Sequence, residues 1–331
     1  MVKRKTYDDR LELLADVAEM YYEEGKNQAE ISGYFGITRS AISRILTEAR
    51  HKGVVEITIH RQLNYNPVLE QALKDRFGLK AAHIINWRNN QRQEMLMNRI
   101  GVASAKILEE MLSSNQVIGI AWGYTIANTI EAISTTDIEN IKVVQLVGVL
   151  GSSMHTYSGQ ALVEQLASKV NGEGVYLYTP FIVKDKETAR ALLQDPSTNK
   201  AITLGRNCDV AILGIGSTVP EHCSLYQAGY ITLDDLTNLQ KAGAVGDVGG
   251  HYFDINGDTA NNEFHERMVG ISKSDLKNIP VRVGIAGGTL KTEAIYGAIA
   301  GGYINVLVSD SKLAENLLAL ADKRQYKIGG R

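Results

Sequence analysis

Two sets of residues in this chain have types and spacing that could do chemistry. The first is local: Thr38, Arg39, Ser40, Ser43, Arg44 and Thr47 fall where one side of a helix would carry guanidiniums and hydroxyls, with Gln28 on a preceding helix. Such groups donate to phosphate oxygens and to base edges, so this chemistry is recognition of duplex DNA. The second set is dispersed. Asp247 in GAVGDVGG is a carboxylate that can accept from hydroxyls, and Lys291 in AGGTLK is an ammonium that can meet an anion. Glycine junctions surround them: Gly123-Tyr124-Thr125, Gly148 to Ser153 with Gly151 inside it, Gly214 to Thr218 with Gly216, and Gly287-Gly288 before Lys291. Glycine lets a backbone approach a ligand, and free N–H groups at helix starts attract anions. Four such junctions point to a phosphorylated or polyhydroxylated small molecule. Each residue also has a plainer reading, since Asp beside Gly is commonly a turn residue and Lys291 can pair with Glu293 or water.

The elements that must position the first set are readable from periodicity. Leu11, Leu14, Val17, Ala18 and Tyr21 recur at helical spacing, giving a first helix that ends near Gly25. Asn27 followed by Glu30 opens a second helix, Gln28 to about Phe35, as a capping box. Gly36 permits a tight turn, and Thr38 caps a third helix that runs to about Lys52 before Gly53. Ile42, Ile45, Leu46 and Ala49 form its buried stripe, leaving the polar set outward. Val55, Ile57 and Ile59 then alternate with Glu56, Thr58 and His60, which predicts a strand of a wing. Tyr21 and Tyr22 read as packing residues rather than phosphate donors.

For the second set, Asn66-Pro67 opens a short helix ending at Gly78, and residues 92–113 form a longer amphipathic one; either could serve a subunit interface. VIGIAWG, IKVVQLVG, GVYLYTP, CDVAILGIG, VRVGIAGG and INVLVSD predict buried strands of a mostly parallel sheet. Several end in glycine and enter a helix, and Lys291 is expected in the first turn of a helix over 289–300. In such sheets ligands bind at the carboxyl ends of strands. Two domains follow, with the boundary near residues 57–68: 1–60 as a DNA-binding head and 61–331 as a ligand-binding and oligomerising domain. A winged helix reads a short half-site, so an oligomer is mechanically expected.

Composition narrows the class. Of 331 residues, 44% are hydrophobic and 22% charged, ordinary for a globular protein. A net charge of −2 does not announce nucleic acid, yet Thr38 to Lys52 holds four cations against Glu48 alone. That local basic face is what phosphate contact requires. No apolar stretch approaches the ~18–20 residues of a membrane span, and the N-terminus lacks the apolar core of a secretory signal. Cys208 and Cys223 form neither a disulfide framework nor a zinc site, so a reducing, cytoplasmic setting is expected, with no metal and no cofactor.

Long stretches of the chain resemble one family. YYEEGKNQAEISGYFGITRSAISRIL, GVVEI, IGIAWGYTI, DVAILGIGS, KAGAVGDVGGHYFDINGD and IPVRVGIAGGTLKTEAIYGAIAGGYINVLVSD are similar to SorC/DeoR-type sugar-binding transcriptional regulators, and the likeness spans nearly the whole chain. The resemblance implies an N-terminal winged helix-turn-helix and a C-terminal Rossmann-like domain similar to phosphosugar isomerases without their catalysis. It further implies a homodimer or homotetramer on palindromic operator DNA, controlled by a sugar phosphate, sugar or polyol, and most often a repressor. By position, Lys291 matches the lysine that contacts the effector, Asp247 the acid that holds hydroxyls, and Tyr124 and Thr125 the loop that accepts phosphate. Where some bisphosphate-sensing members carry arginine, this chain has Val147, which argues against a second phosphate. The competing expectation is an isomerase-like enzyme joined to a DNA-binding domain, drawing its base and acid from Asp247, Glu263, His265 and Glu266. A third is a DNA-bound scaffold without a ligand.

Overall fold

The computed structural model describes residues 7–55, 63–88, 93–149, 157–260 and 262–324. Contacts divide the chain into two compact units, Met1–Gln62 and Leu63–Arg331. Among the described residues the first unit comprises α1 (Tyr7–Tyr22), α2 (Gln28–Phe35) and α3 (Arg39–His51). The second runs α4 (Pro67–Phe77), β1 (Ala81–Ile85), α5 (Gln93–Met111), β2 (Val117–Ile120), α6 (Tyr124–Ala132), β3 (Lys142–Gln145), α7 (Gly159–Lys169) and β4 (Glu173–Val175). It continues with α8 (Lys186–Gln194), α9 (Pro196–Arg206), β5 (Val210–Ser217), α10 (Ser224–Gln227), α11 (Leu233–Lys241) and the strands β6 (Gly246–Val248) and β7 (His251–Phe253). Then come α12 (Asn262–Glu266), α13 (Lys273–Asn278), β8 (Val281–Ile285), α14 (Thr292–Ala300), β9 (Val306–Asp310) and α15 (Ser311–Arg324).

In the first unit the caps act as read. Asn27 accepts from the N–H groups of Ala29 and Glu30, while the Glu30 carboxylate accepts from Asn27 N at 2.8 Å, closing the capping box. Gly36 ends α2 in the left-handed region, at φ 65°, and Thr38 Oγ1 accepts from Ala41 N to start α3. Ile42, Ile45, Leu46 and Ala49 are buried against Leu14, Val17 and Ile31. Arg10 from α1 and Lys52 both pair with Glu48, holding its carboxyl down to about 2. The strand expected from Val55 to Ile59 lies, beyond Val55, outside the described residues.

The second unit is a parallel sheet of order β1-β9-β8-β5-β2-β3-β4, extended from the tip of β5 by the antiparallel hairpin β6–β7. From β2 the chain advances one way to β3 and β4; from β5 it advances the other way to β8 and β9. Right-handed crossovers therefore place their helices on opposite faces. In agreement, α5, α6 and α7 pack in succession, while α14, α15 and α4 form a separate packed set. The strand order reverses between β5 and β2, which makes their carboxyl ends the switch point of the fold. No helix among the described residues is long and apolar enough to cross a membrane.

Three local expectations are corrected. Asp247 is not the turn residue that its glycine neighbours suggest: it is the middle residue of β6, opposite Gly216 on β5 and Tyr252 on β7. Lys291 does not open an α-helix, because Thr289–Lys291 form a turn of 3-10 helix and α14 begins at Thr292. The strand read in GVYLYTP is confined to Glu173–Val175, and β1, absent from the sequence reading, pairs with β9 along its whole length.

Candidate functional site

Two surfaces carry the residues singled out by sequence. On α3, Thr38, Arg39, Ser40, Ser43, Arg44 and Thr47 are all exposed on the side away from the buried stripe. Thr38 Oγ1 and Ser40 Oγ lie 3.0 Å apart, and Arg44 Nε donates to Ser40 O at 3.4 Å, so the first turn presents one organised polar edge. Gln28 is half-buried at the first position of α2. Tyr21 is partly packed and Tyr22 stands edge-on to it at 4.9 Å.

The dispersed set converges. A cleft of about 390 Å³ opens at the carboxyl ends of β2, β5 and β8 and is lined by Gly123, Tyr124, Thr125, Gly216, Asp247, Gly287 and Lys291. This is the switch point, the place where doubly wound sheets bind ligands, and the volume suits a small metabolite. Gly123, at φ 135°, precedes α6 without any side-chain cap, so the first-turn N–H groups of that helix are presented at the cleft. Tyr124 is exposed beside them, edge-on to Tyr157 at 5.3 Å.

Asp247 and Lys291 owe their positions to close backbone approach. A side chain at Gly216 would place its Cβ 1.8 Å from Asp247 Oδ1, so only glycine leaves room for the carboxylate. Gly250 N donates to Asp247 Oδ2 at 2.9 Å, fixing the side chain from its own hairpin turn. Burial nevertheless pushes the Asp247 carboxyl up to about 6, against the pull of that hydrogen bond and of Lys291. Lys291 Nζ donates to Ile215 O at 2.7 Å rather than pairing with Glu293, and burial lowers its pKa while Asp247 opposes the shift. A carboxyl that can be protonated or charged near neutral pH, beside a tethered ammonium, can both accept from and donate to hydroxyls.

The remaining members of the set lie elsewhere or beside the cleft. Gly148 is packed against the backbone of Pro180 and Phe181 and donates its N–H to Val269 O, so it supports the sheet rather than the cleft. Gly151, with Ser152 and Ser153, lies outside the described residues. Gly288 stands one residue behind the cleft wall, its N–H donated to Asp310 Oδ2 at 2.8 Å. Asp310, at the end of β9, also accepts from Lys312 N and Leu313 N, so one buried carboxylate ties α15 to the glycine loop. Of the residues considered as acids or bases, Glu263, His265 and Glu266 do not line the cleft.

Sequence reasoning missed Asp310 and also the far rim: Gln93 and Glu94 at the start of α5, and Glu221, His222, Ser224 and Gln227 after β5. For the residues from Glu221 to Gln227 the one available signal was position, directly after the switch strand, and that strand cannot be identified before the strand order is known. With these residues included, the described cleft carries a single cation, Lys291, against Glu94, Glu221 and Asp247. An anionic ligand there must rely mainly on backbone N–H groups.

Comparison with known proteins agrees with this architecture. Residues 62–319 match the family described as "Putative sugar-binding domain", and residues 15–52, which span most of α1 through α3, match "Sigma-70, region 4". The transcriptional regulator LsrR of Escherichia coli K12 is 33% identical over 310 residues, 93% of this chain and 94% of LsrR. The deoxyribonucleoside regulator of Bacillus subtilis 168 is 26% identical and is covered over 98% of its length. Among solved structures, the full-length sorbitol operon regulator SorC of Klebsiella pneumoniae superposes with a TM-score of 0.70 at 28% identity, over 94% of this chain and 99% of SorC. With the helix-turn-helix head, the switch-point cleft and relatives that match over nearly the whole chain, this chain belongs to the SorC/DeoR-type family of sugar-binding transcriptional regulators.

Proposed function

We propose that residues 1–60 seat α3 in the major groove of a palindromic operator, and that residues 61–331 bind the effector and hold the subunits together. Arg39, Ser40, Ser43 and Arg44 then contact base edges and phosphates, while Gln28 and Thr38 anchor the adjoining backbone. Each head reads one half-site, so two heads of a dimer or tetramer are needed and their separation governs affinity. The setting is the bacterial cytoplasm, where operator and metabolite meet.

The observation that carries the effector reading is the convergence of three separate glycine junctions, Asp247 and Lys291 on one cleft at the switch point. A sugar, polyol or monophosphorylated sugar fits its chemistry: Asp247 and Lys291 hold hydroxyls, and the open start of α6 takes the phosphate where one is present. One cation among three carboxylates, with Val147 buried where a second phosphate would need arginine, disfavours a bisphosphate. Ligand closure around Asp247 changes the head-to-head spacing, and a coupling of roughly 1–3 kcal/mol is ordinary for such linkage. We read the protein as a repressor that its ligand releases.

Electrophoretic mobility of the full chain on its own upstream region, with and without a panel of sugars, polyols and monophosphorylated sugars, tests this. Release of the shifted band by one of them is expected, and loss of that release in Asp247→Asn. A band that no compound moves overturns effector control, and a band strengthened by ligand makes the protein an activator. The same Asp247, titrating near 6, would suit a general base. Turnover of ribose-5-phosphate or glucosamine-6-phosphate, abolished in Asp247→Asn, would replace our reading of binding without catalysis.

A further inference from the structure

A second cavity of about 420 Å³ lies on the other side of the β6–β7 hairpin, and its chemistry is the inverse of the cleft's. Lys186 and Arg190, four residues apart on one face of α8, line it together with Lys273 from the start of α13, with Glu266 the only carboxylate in the described lining. Lys186 and Arg190 have no carboxylate partner among the described residues, whereas Arg10, Arg76 and Arg206 each pair with an acid. Lys273 is held rigidly, its Nζ donating to Gly257 O at 3.0 Å and to Thr259 Oγ1 at 3.2 Å. The rest of the lining mixes hydroxyls, from Thr259 and Ser272, with apolar side chains such as Leu193 and Met268.

The back wall is imidazole. His251 and His265 stack with centroids 5.5 Å apart. His251 Nε2 lies 3.0 Å from Ile271 O, and His265 Nε2 accepts from Tyr252 N at 2.8 Å. Both bonds tie the wall to the hairpin that carries Asp247. Val248 pairs with His251 and Asp247 with Tyr252, while Gly249 lines the cleft and His251 lines the groove. The two cavities therefore share one short piece of backbone.

We propose that this groove is a second ligand site, selective for a small polyanion such as a phosphorylated or polycarboxylate metabolite, whose occupancy is transmitted through the β6–β7 hairpin to Asp247. Three cations lining one groove, against Glu266 alone among its carboxylates, supply the affinity for a guest of two or more negative charges. The site is distinct from the effector cleft, so its test does not depend on the cleft's ligand being known.

Isothermal titration of the full chain with pyrophosphate, and separately with citrate, at constant ionic strength provides the test. Saturable binding of at least one is expected; pyrophosphate alone identifies a phosphate guest, citrate alone a carboxylate one. Binding should survive Lys291→Met, which damages only the cleft, and weaken at least tenfold in Arg190→Glu and in Lys186→Glu, with Arg190→Lys retaining it. Both charge reversals fall on exposed positions, and circular dichroism melts check that they fold. Hydrogen exchange at the Gly250 N–H, which reports the Asp247 bond, should slow on pyrophosphate or citrate addition. The proposal is overturned if neither anion binds, if binding disappears in Lys291→Met, or if it is indifferent to both reversals. It is equally overturned if Arg190→Glu changes only the oligomeric state, since the cations would then face acids of a second copy.

Discussion

The helical head and the cleft reach recognition by contrasting routes. On α3 the polar residues from Thr38 to Thr47 lie within three turns of one helix, and a stripe of buried residues from the same helix aims them outward. The cleft instead takes Gln93, Gly123, Gly216, Asp247 and Lys291 from five separate stretches, each delivered by a different strand or helix start. A local surface is as sturdy as one helix and its caps. An assembled surface depends on backbone fit at every junction, and it can hold a buried carboxyl in a titration state that an exposed helix face could not. The first arrangement suits a rigid reader and the second a responsive one.

Ile45→Ala tests the rigid side most severely. Ile45 is buried among α1, α2 and α3, and truncation should destabilise the first unit by roughly 2–5 kcal/mol. Denaturant melts should show this, with operator binding lost and ligand binding to the second unit retained. Loss of ligand binding as well would break the contrast.

Asp247→Asn tests the responsive side, and in the opposite direction. The carboxyl titrates near 6 in the fold against 3.8 in its ordinary state, so the folded protein keeps its proton over a range where the unfolded chain has released it. Stability from this group is therefore present below about 3.8 and lost as pH rises through about 6. Two pKa units correspond to about 3 kcal/mol. Above pH 7 the unliganded Asn variant should be more stable than the parent by up to that amount, and the difference should vanish towards pH 4. Chemical denaturation at several pH values checks it, and an Asn variant that is less stable at every pH would show that Asp247 is a structural rather than a poised residue.

Smaller effects sharpen the comparison. Arg44→Ala should weaken operator binding by roughly 1–3 kcal/mol, and flatten its salt dependence if the contact is to phosphate, without altering ligand affinity. Thr38→Ala removes one cap and should lower the stability of the first unit by about 1 kcal/mol, read as a shift in its melt.

How much of this was legible beforehand follows the same division. The capping box at Asn27 and Glu30, the left-handed Gly36 and the stripe of α3 were all readable, because each depends on residues within one helical turn of another. Family likeness pointed to Asp247 and Lys291, but the hairpin placing Asp247 opposite Gly216 was not visible, since β6 is three residues long and leaves almost no periodic trace. The four glycine junctions looked equivalent in sequence. Packing separated them, turning Gly148 towards Pro180 and Phe181 and bringing Gly123, Gly216 and Gly287 to the cleft.

By itself the sequence determined the helices of the head, their caps, the strand-rich character of the second unit and the kinds of group available for recognition, since side-chain period and capping are short-range properties of the chain. Only the tertiary structure decided the strand order, the reversal between β5 and β2, the far rim from Glu221 to Gln227 and the tether of Lys291 to Ile215. Those features depend on which distant backbones lie side by side. Parallel pairing between remote strands is chosen by burial of the whole sheet, and no single segment encodes it.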